Sequence, residues 1–293
     1  MRRHSPKPTV PPTKEKKRKR ILLIALGVIL TVAASVVVII LFAQRANGRV
    51  ELKPTATVTE GSIIAVYPHD PDAFTQGLLL DDDNYLIEST GMWNRSTLRR
   101  VNYTTGQVVE QTRLDSDLFG EGCVRWKDTY VMLTWRSKRG FIYQQQDLSL
   151  VREFTFKTVT GEGWGITHDG THLIVSDGSS YLFFWDPETL NEVRRVNVVS
   201  EGKSMRLLNE LEYINGEVYA NVWFTQNVYR IDPSTGQVKG IIDCSLLVAK
   251  AGFDGSERDA VLNGIAVHGD SQRLFLTGKL WSSMFEIDMT KLD

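Results

Sequence analysis

Beyond residue 61 the chain is a succession of short runs in which apolar or β-branched residues alternate with polar ones. Gly, Asp and Asn separate the runs, as is typical of strands joined by tight turns. No long stretch of this region has the i, i+3, i+4 apolar spacing of an amphipathic helix. The pattern therefore predicts an all-β domain over residues 62–293.

Five of these runs can be superposed, each being a strand, a polar turn and a second, β-rich strand. They begin at Gly77, Gly122, Gly165, Glu210 and Gly264. The starts lie 45, 43, 45 and 54 residues apart, and a polar insert at 250–260 lengthens the last interval. A third strand, a polar turn and a fourth strand follow the pair. Periods of about 40 to 50 residues with four strands each indicate the blades of a five-bladed β-propeller, and an open sandwich is the alternative.

The last repeat stops after three strands, at residues 285–289, whereas an additional strand at residues 62–68 precedes the first repeat. If this N-terminal strand completes the last blade, the ring closes and its edges are hidden. We therefore predict closure of the propeller by the N-terminal strand.

The first strand of each propeller blade lines the central channel, so equivalent positions of the five strands should converge at one mouth. The residues just before the five repeat starts are Gln76, Glu121, Trp164, Asn209 and Asn263. Four of the five are polar, which suggests a site for a polar ligand. The alternative is that they only satisfy backbone groups or bind water.

A second set of residues lies at or near the ends of the second strands: Trp135, Trp223, Lys279 and Trp281. Aromatic faces near a carboxylate and an ammonium group can hold a small cationic or amide-bearing substrate. Ordinary packing between blades is the alternative for any of these tryptophans.

The region before the repeats has a different composition. Residues 21–43 contain no charge and would span roughly 35 Å as a helix, enough to cross a bilayer. The basic cluster at 14–20 precedes this span, and the positive-inside rule places it in the cytosol. We predict a cytosolic tail at 1–20, a transmembrane signal anchor at 21–43, a linker at 44–61 and a luminal or extracellular propeller at 62–293. A cleaved signal peptide and a nuclear-localisation signal are the alternatives.

Other sequence features narrow the chemistry. Residues 1–20 carry +8 of a total net charge of −1, which leaves −9 on the rest and disfavours nucleic-acid binding. Two sequons, at Asn94 and Asn102, fit a secretory location. The five His form no strong metal motif, and neither a nucleophile elbow nor a phosphate loop is found. Cys123 and Cys244 are expected to be buried, with a disulfide as the alternative.

Ten stretches of the sequence, in order along the domain, resemble the plant and bacterial glutaminyl-peptide cyclotransferase family, whose members are five-bladed propellers. They are YPHDPDAFTQGL (67–78), ESTG (88–91), GEG (120–122), LTW (133–135), GWGITHDG (163–170), SDGSSYLFFWDPETL (176–190), LNELEYINGEVYANVW (208–223), RIDPSTG (230–236), VLNGIA (261–266) and TGKLW (277–281). The resemblance implies cyclisation of an N-terminal glutamine of peptides or proteins to 5-oxoproline, with release of ammonia.

The resemblance also implies site residues. Glu121 would be the catalytic acid and base. The surrounding pocket would consist of Phe74, Gln76, Trp135, Trp164, Asn209, Trp223 and Lys279. Glu162, two residues before a ring position, is the second candidate carboxylate. No metal is required for catalysis on this scheme, although the resemblance allows a structural ion in the channel. The sequence departs from the family at residues 91–100, GMWNRSTLRR, where a Gly- and Ser-rich turn is expected, and at Cys123, where Leu is more usual.

Two other functions remain open at this point. A non-catalytic propeller would serve as a luminal interaction platform, and a lactonase on a similar propeller would need carboxylates and Asn around an essential calcium ion.

Overall fold

The structure is a computed structural model, and it describes residues 54–82, 84–256, 258–268 and 272–293. Within these ranges the strands are β1 Ala56–Thr57, β2 Ile63–Pro68, β3 Thr75–Leu80, β4 Tyr85–Thr90, β5 Thr97–Asn102, β6 Gln107–Arg113, β7 Gly120–Trp126, β8 Thr129–Thr134, β9 Arg139–Gln144, β10 Leu150–Thr155, β11 Ile166–His168, β12 Leu173–Val175, β13 Tyr181–Trp185, β14 Glu192–Asn197, β15 Val199–Ser200, β16 Lys203–Ser204, β17 Leu208–Ile214, β18 Glu217–Val222, β19 Asn227–Ile231, β20 Val238–Asp243, β21 Leu262–Val267, β22 Arg273–Gly278 and β23 Ser283–Asp288. A short helix, α1, covers Ser245–Lys250, and 3₁₀ turns cover Glu60–Ser62 and Met289–Lys291.

The strands form the five blades that the repeat predicts. Blade 1 is β3–β6, blade 2 is β7–β10, blade 3 is β11–β14, blade 4 is β17–β20, and blade 5 is β21–β23 with β2. The first strands of neighbouring blades pack side by side around a closed ring. Five hydrophobic clusters hold the ring together, one between each pair of neighbouring blades.

The burial of each strand follows its place in the blade. Innermost β3 is buried along nearly its whole length, whereas outermost β6 alternates between half-buried and exposed residues. A strand covered on both faces can be continuously apolar, while one with a solvated face alternates. This difference explains why the outer strands carry the clearest period of two in the sequence.

The N-terminal strand closes the propeller, as predicted. β2 pairs antiparallel with β23, with Tyr67 opposite Met284. The described end of the predicted linker adds a strand that the sequence did not suggest: β1 pairs in parallel with β20, with Ala56 opposite Ile242. Val58 follows β1 and is buried.

Glycines allow the five inner strands to approach closely. A Cβ atom at Gly122 would lie 2.6 Å from the carbonyl oxygen of Trp164 in blade 3, and one at Gly165 would collide with the carbonyl of Asn209 in blade 4. Contacts this short exclude any larger residue unless the backbone shifts. Gly122 and Gly165 are therefore required by the narrow ring.

The N-terminal predictions fall largely outside the described residues: the tail at 1–20, the span at 21–43 and residues 44–53 of the linker. In the part of the chain that the structure describes, no helix is long and apolar enough to span a bilayer.

Candidate active site

Four of the five ring positions lie on the inner strands β3, β7, β17 and β21, and Trp164 lies two residues before β11. Their exposures are 3% for Gln76, 4% for Glu121, 8% for Trp164, 3% for Asn209 and 0% for Asn263. In blades 1, 2, 4 and 5 the pairing of the first two strands shifts register at this position. Such bulges redirect a side chain from its regular orientation. The structure thus places all five residues at one level of the inner ring.

Neighbouring blades are tied together at this level. The amide of Gly122 donates to the carbonyl of Trp164 at 2.7 Å, and Asn263 Nδ2 donates to the carbonyl of Thr75 at 2.9 Å. Ser89 Oγ donates to the carbonyl of Glu121 at 2.6 Å. These bonds fix the backbone of the ring residues, so their side chains project from a rigid frame.

Three ring amides keep unused acceptors. Gln76 Oε1, Asn209 Oδ1 and Asn263 Oδ1 are buried and have no hydrogen-bond partner among the described residues. A buried acceptor without a partner is costly and uncommon. The acceptors are therefore suited to a ligand that brings its own N–H groups.

One side of the mouth is formed by tryptophans held by Glu162. Trp135 Nε1 and Trp164 Nε1 both donate to Glu162 Oε2, at 2.9 and 3.0 Å. Arg136 donates to the other carboxylate oxygen at 3.0 Å, and its guanidinium carbon lies 3.7 Å from the Trp135 ring centroid. Glu162, the second candidate carboxylate, therefore orients two aromatic walls through its hydrogen bonds.

The remaining contacts close the aromatic circle. Trp164 meets Trp223 edge to face at 5.6 Å between centroids. Lys279 Nζ lies 5.7 Å from the Trp223 centroid and 4.7 Å from that of Phe74. Phe119 then lies between Phe74 and Trp135, with centroids 5.8 and 5.5 Å away. We call this circle of seven residues the aromatic cage: Phe74, Phe119, Trp135, Glu162, Trp164, Trp223 and Lys279.

Two buried titratable groups belong to this region. Burial raises the pKa of Glu121 well above its ordinary range; the charge of Lys279 opposes this effect and that of Glu162 adds to it. Burial lowers the pKa of Lys279 to about 8, against the opposing effects of Glu121 and Asp259. Among the described residues, Glu121 and Lys279 are not joined by an ion pair within 4.0 Å. Lys279 can therefore change its charge near neutral pH, and burial favours the neutral form of the Glu121 carboxyl.

A buried ionic network behind the cage was not found by sequence reasoning. Glu88 is 1% exposed and accepts from Thr75 Oγ1 at 2.7 Å, from Arg99 Nε at 2.9 Å and, with His69 protonated at Nε2, from that nitrogen at 3.1 Å. Arg99 also pairs with Asp70 at 2.7 Å. Thr75 precedes Gln76, so this network supports the blade 1 side of the site.

The same network reaches blade 5. His69 Nδ1 lies 2.7 Å from the carbonyl oxygen of Trp281, two residues after Lys279. Trp281 itself, predicted to belong to the second ring, is fully buried and packs against Phe253 and Phe285. Its side chain therefore supports the hydrophobic core between blades 4 and 5 and does not line the cage.

The channel below the site contains two more carboxyl groups. Glu210 reaches across it, accepting from the amides of Leu78 at 3.4 Å and Ile265 at 3.0 Å. Burial raises the pKa of Glu210, and burial raises that of Glu212 to about 8. The described residues contain no group of three or more His, Cys, Asp or Glu side chains able to hold a metal ion. The described side chains therefore do not fit a structural channel ion held by three or more such ligands.

The two cysteines, Cys123 and Cys244, are buried free thiols. No disulfide joins them, which leaves the cores between the blades to apolar packing.

Comparison with known proteins shows the family of the chain. A family model described as glutamine cyclotransferase matches residues 33–289. A curated glutaminyl-peptide cyclotransferase from Arabidopsis thaliana is 42% identical over 235 residues, covering 79% of this chain and 72% of the relative. A crystal structure of Myxococcus xanthus glutaminyl cyclase superposes with a TM-score of 0.73 at 37% identity, covering 82% of this chain and 99% of that one. The chain belongs to the glutamine cyclotransferase family.

Proposed function

We propose that this chain is a glutaminyl-peptide cyclotransferase, an acyltransferase that converts the N-terminal glutamine of peptides or proteins to 5-oxoproline and releases ammonia. The observation that carries the proposal is the buried carboxyl of Glu121, whose pKa is raised by burial and which shares the mouth of the ring with unpartnered amide acceptors. The family and the two named relatives support the same activity.

The reaction needs one proton moved between two nitrogens. The neutral form of the substrate α-amine, whose pKa is about 8, attacks the γ-carbonyl of the same residue. As the new C–N bond forms the attacking nitrogen must lose one proton, and as the old C–N bond breaks the departing amide nitrogen must gain one and leave as ammonia. A single carboxyl group can accept the first proton and return it to the leaving group, which contributes roughly 10²- to 10⁴-fold in rate. We assign both steps to Glu121.

Positioning of the substrate amine against its γ-carbonyl supplies the other large contribution to the rate. Nucleophile and electrophile belong to one residue, and well-oriented intramolecular reactions reach effective molarities of about 10⁵ to 10⁸ M. We propose that Gln76 Oε1 and Asn209 Oδ1 accept hydrogen bonds from substrate N–H groups. The faces of Trp135, Trp164 and Trp223 would then enclose the glutamine side chain in its folded conformation.

Lys279 would stabilise the negative charge that develops on the γ-oxygen. Its ammonium lies over the faces of Phe74 and Trp223 and is not joined to Glu121 by an ion pair. A cation held by ring faces keeps its N–H groups for a transition-state oxygen, where a preorganised charge is most effective.

The test is direct. The purified propeller is incubated with a Gln-initiated peptide, and mass spectrometry should detect the loss of one ammonia from that peptide but none from its Asn-initiated counterpart. A protein that bound the peptide without changing its mass would instead be an interaction platform. Activity that survived chelation of calcium would disfavour the lactonase alternative.

We also propose, from the sequence, that residues 21–43 anchor the protein in a membrane of the secretory pathway, with residues 1–20 cytosolic and the propeller luminal or extracellular. In sealed microsomes the propeller should resist added protease while a tag on the N-terminus is removed. Exposure of both parts to the protease would refute this topology.

A further inference from the structure

Trp93 is a large aromatic residue that the proposed reaction does not use. It is 49% exposed, and among the described residues it is the one tryptophan with so exposed a side chain. Its ring centroid lies 5.6 Å from Phe119 and 6.3 Å from Trp135, both members of the aromatic cage. The exposed indole therefore extends the cage wall outward into solvent.

The loop that carries Trp93 is fixed in an unusual conformation. Met92 and Asn94, on either side of it, have φ values of 87° and 63°, which are uncommon for residues other than glycine. Ser96 Oγ donates to the carbonyl of Met92 at 2.8 Å and accepts from the amide of Gly120 at 2.9 Å. Strained backbone persists where surrounding contacts hold it, and it is concentrated at binding sites.

These bonds connect Trp93 to the strand that carries Glu121. Gly120, which donates to Ser96, is adjacent to Glu121, and the amide of Asn94 donates to the carbonyl of Ser116 at 3.1 Å. The loop backbone that carries the indole is therefore tied to the strand of the proposed acid and base.

The position of the substrate chain follows from its covalent structure. The α-carbon of the N-terminal glutamine carries both the amine that must reach Glu121 and the carbonyl through which the peptide continues. Consecutive α-carbons are about 3.8 Å apart. The side chain of the second residue therefore emerges close to the rim of the cage, where Trp93 lies on the blade 1 and blade 2 side next to Phe119 and Trp135.

We propose that Trp93 forms a subsite for an apolar or aromatic side chain at the second position of the substrate peptide. This inference rests on the proposed function and specifies its substrate class. An exposed, preorganised indole face favours aromatic and aliphatic side chains, since aromatic pairs gain about 0.5–1.5 kcal/mol beyond their buried area. That gain corresponds to roughly a 2- to 12-fold preference in kcat/KM.

The experiment compares kcat/KM for two amidated dipeptides, Gln-Phe and Gln-Gly, by ammonia release. The wild-type protein should prefer Gln-Phe by about 2- to 12-fold. Trp93→Ser should reduce kcat/KM for Gln-Phe to the Gln-Gly value and leave Gln-Gly unchanged, while Trp93→Phe retains most of the preference. Leu150→Ser, which removes an apolar side chain 56% exposed on β10, is the matched control and should change neither substrate.

Three results would overturn the inference. Equal wild-type values for the two dipeptides would exclude the subsite. An equal loss of kcat/KM for both dipeptides in Trp93→Ser would mean that Trp93 only supports Trp135 by packing. Wild-type protein that released no ammonia from any Gln-initiated peptide would refute the proposed function itself, and the subsite with it.

Discussion

Replacing Glu88 by Gln should destabilise the propeller, because this carboxylate is the centre of a buried ionic network. The change preserves the size of the side chain but removes the charge opposite Arg99, which is 6% exposed, and opposite His69. Removing one partner of a buried ion pair costs about 3–5 kcal/mol. Because Gln keeps one acceptor oxygen, we expect a loss of unfolding free energy at the lower end of this range, about 3 kcal/mol.

The assay is thermal unfolding at a fixed pH near 6. For a domain of this size each kcal/mol shifts Tm by about 2–4 °C, so Glu88→Gln should lower Tm by about 6–12 °C. Glu153→Gln is the control, because Glu153 pairs with Arg139 at the surface, where solvent screens the charges. An unchanged Tm in Glu88→Gln would refute the account of the network.

The same variant has a defined pH dependence. Burial favours the neutral form of His69, but the charge and hydrogen bond of Glu88 outweigh it and raise the His69 pKa above its ordinary 6.5. Burial likewise opposes the ionisation of Glu88, yet Arg99 and His69 together bring its pKa far below the ordinary 4.5.

The signs of these pKa shifts define the pH range in which the network stabilises the fold. The contribution of His69 is complete below pH 6.5 and is lost as the pH rises through its raised pKa. The contribution of Glu88 is complete above pH 4.5 and is lost as the pH falls through its lowered pKa. The Tm difference between wild type and Glu88→Gln should therefore be greatest between about pH 5 and 6.5. A difference that did not vary with pH would contradict the coupling.

Four further predictions concern the site and the ring. Glu121→Gln should keep the wild-type Tm and lose at least about 10²-fold in kcat, measured by ammonia release; a near-normal kcat would remove Glu121 from the mechanism. Glu162→Gln removes a negative charge that raises the pKa of Glu121, so the acidic limb of the kcat/KM profile should move to lower pH, and an unmoved limb would contradict this electrostatic effect. In the wild type, kcat at saturating substrate should decline as the pH rises through about 8, the pKa of Lys279, and Lys279→Met should be slower at pH 7 and lack that decline. Gly165→Ala should lower Tm, because its methyl group collides with the carbonyl of Asn209; denaturation that matched the wild type would show that the inner strands can separate.

The repeat explains why the ring could be predicted from sequence. Blades of similar length place equivalent residues at one level, so the position before each repeat start identified Gln76, Glu121, Trp164, Asn209 and Asn263 without any coordinates. Closure by the N-terminal strand was predictable for a related reason, since one strand was missing at the end and one was left over at the beginning.

Other features depend on contacts that no local pattern records. Glu88 and Arg99 face each other across neighbouring strands, but His69 reaches them from a loop and also contacts the carbonyl of Trp281 in blade 5. The hydrogen bond from Trp135 to Glu162 joins residues 27 positions apart and arises only when blade 2 meets the loop that leads into blade 3, whereas the bond from Trp164 is local. β1 is two residues long and too short for any periodicity to identify.

The pairing of β2 with β23 also constrains how the chain can be made. β2 ends at Pro68, and its partner begins at Ser283, about 215 residues later. At roughly 5–20 residues per second of synthesis, β2 waits on the order of 10–40 s before its neighbour exists. Throughout this interval a strand edge with the apolar residues Ile64 and Val66 is open to wrong partners, and slower elongation would lengthen that exposure.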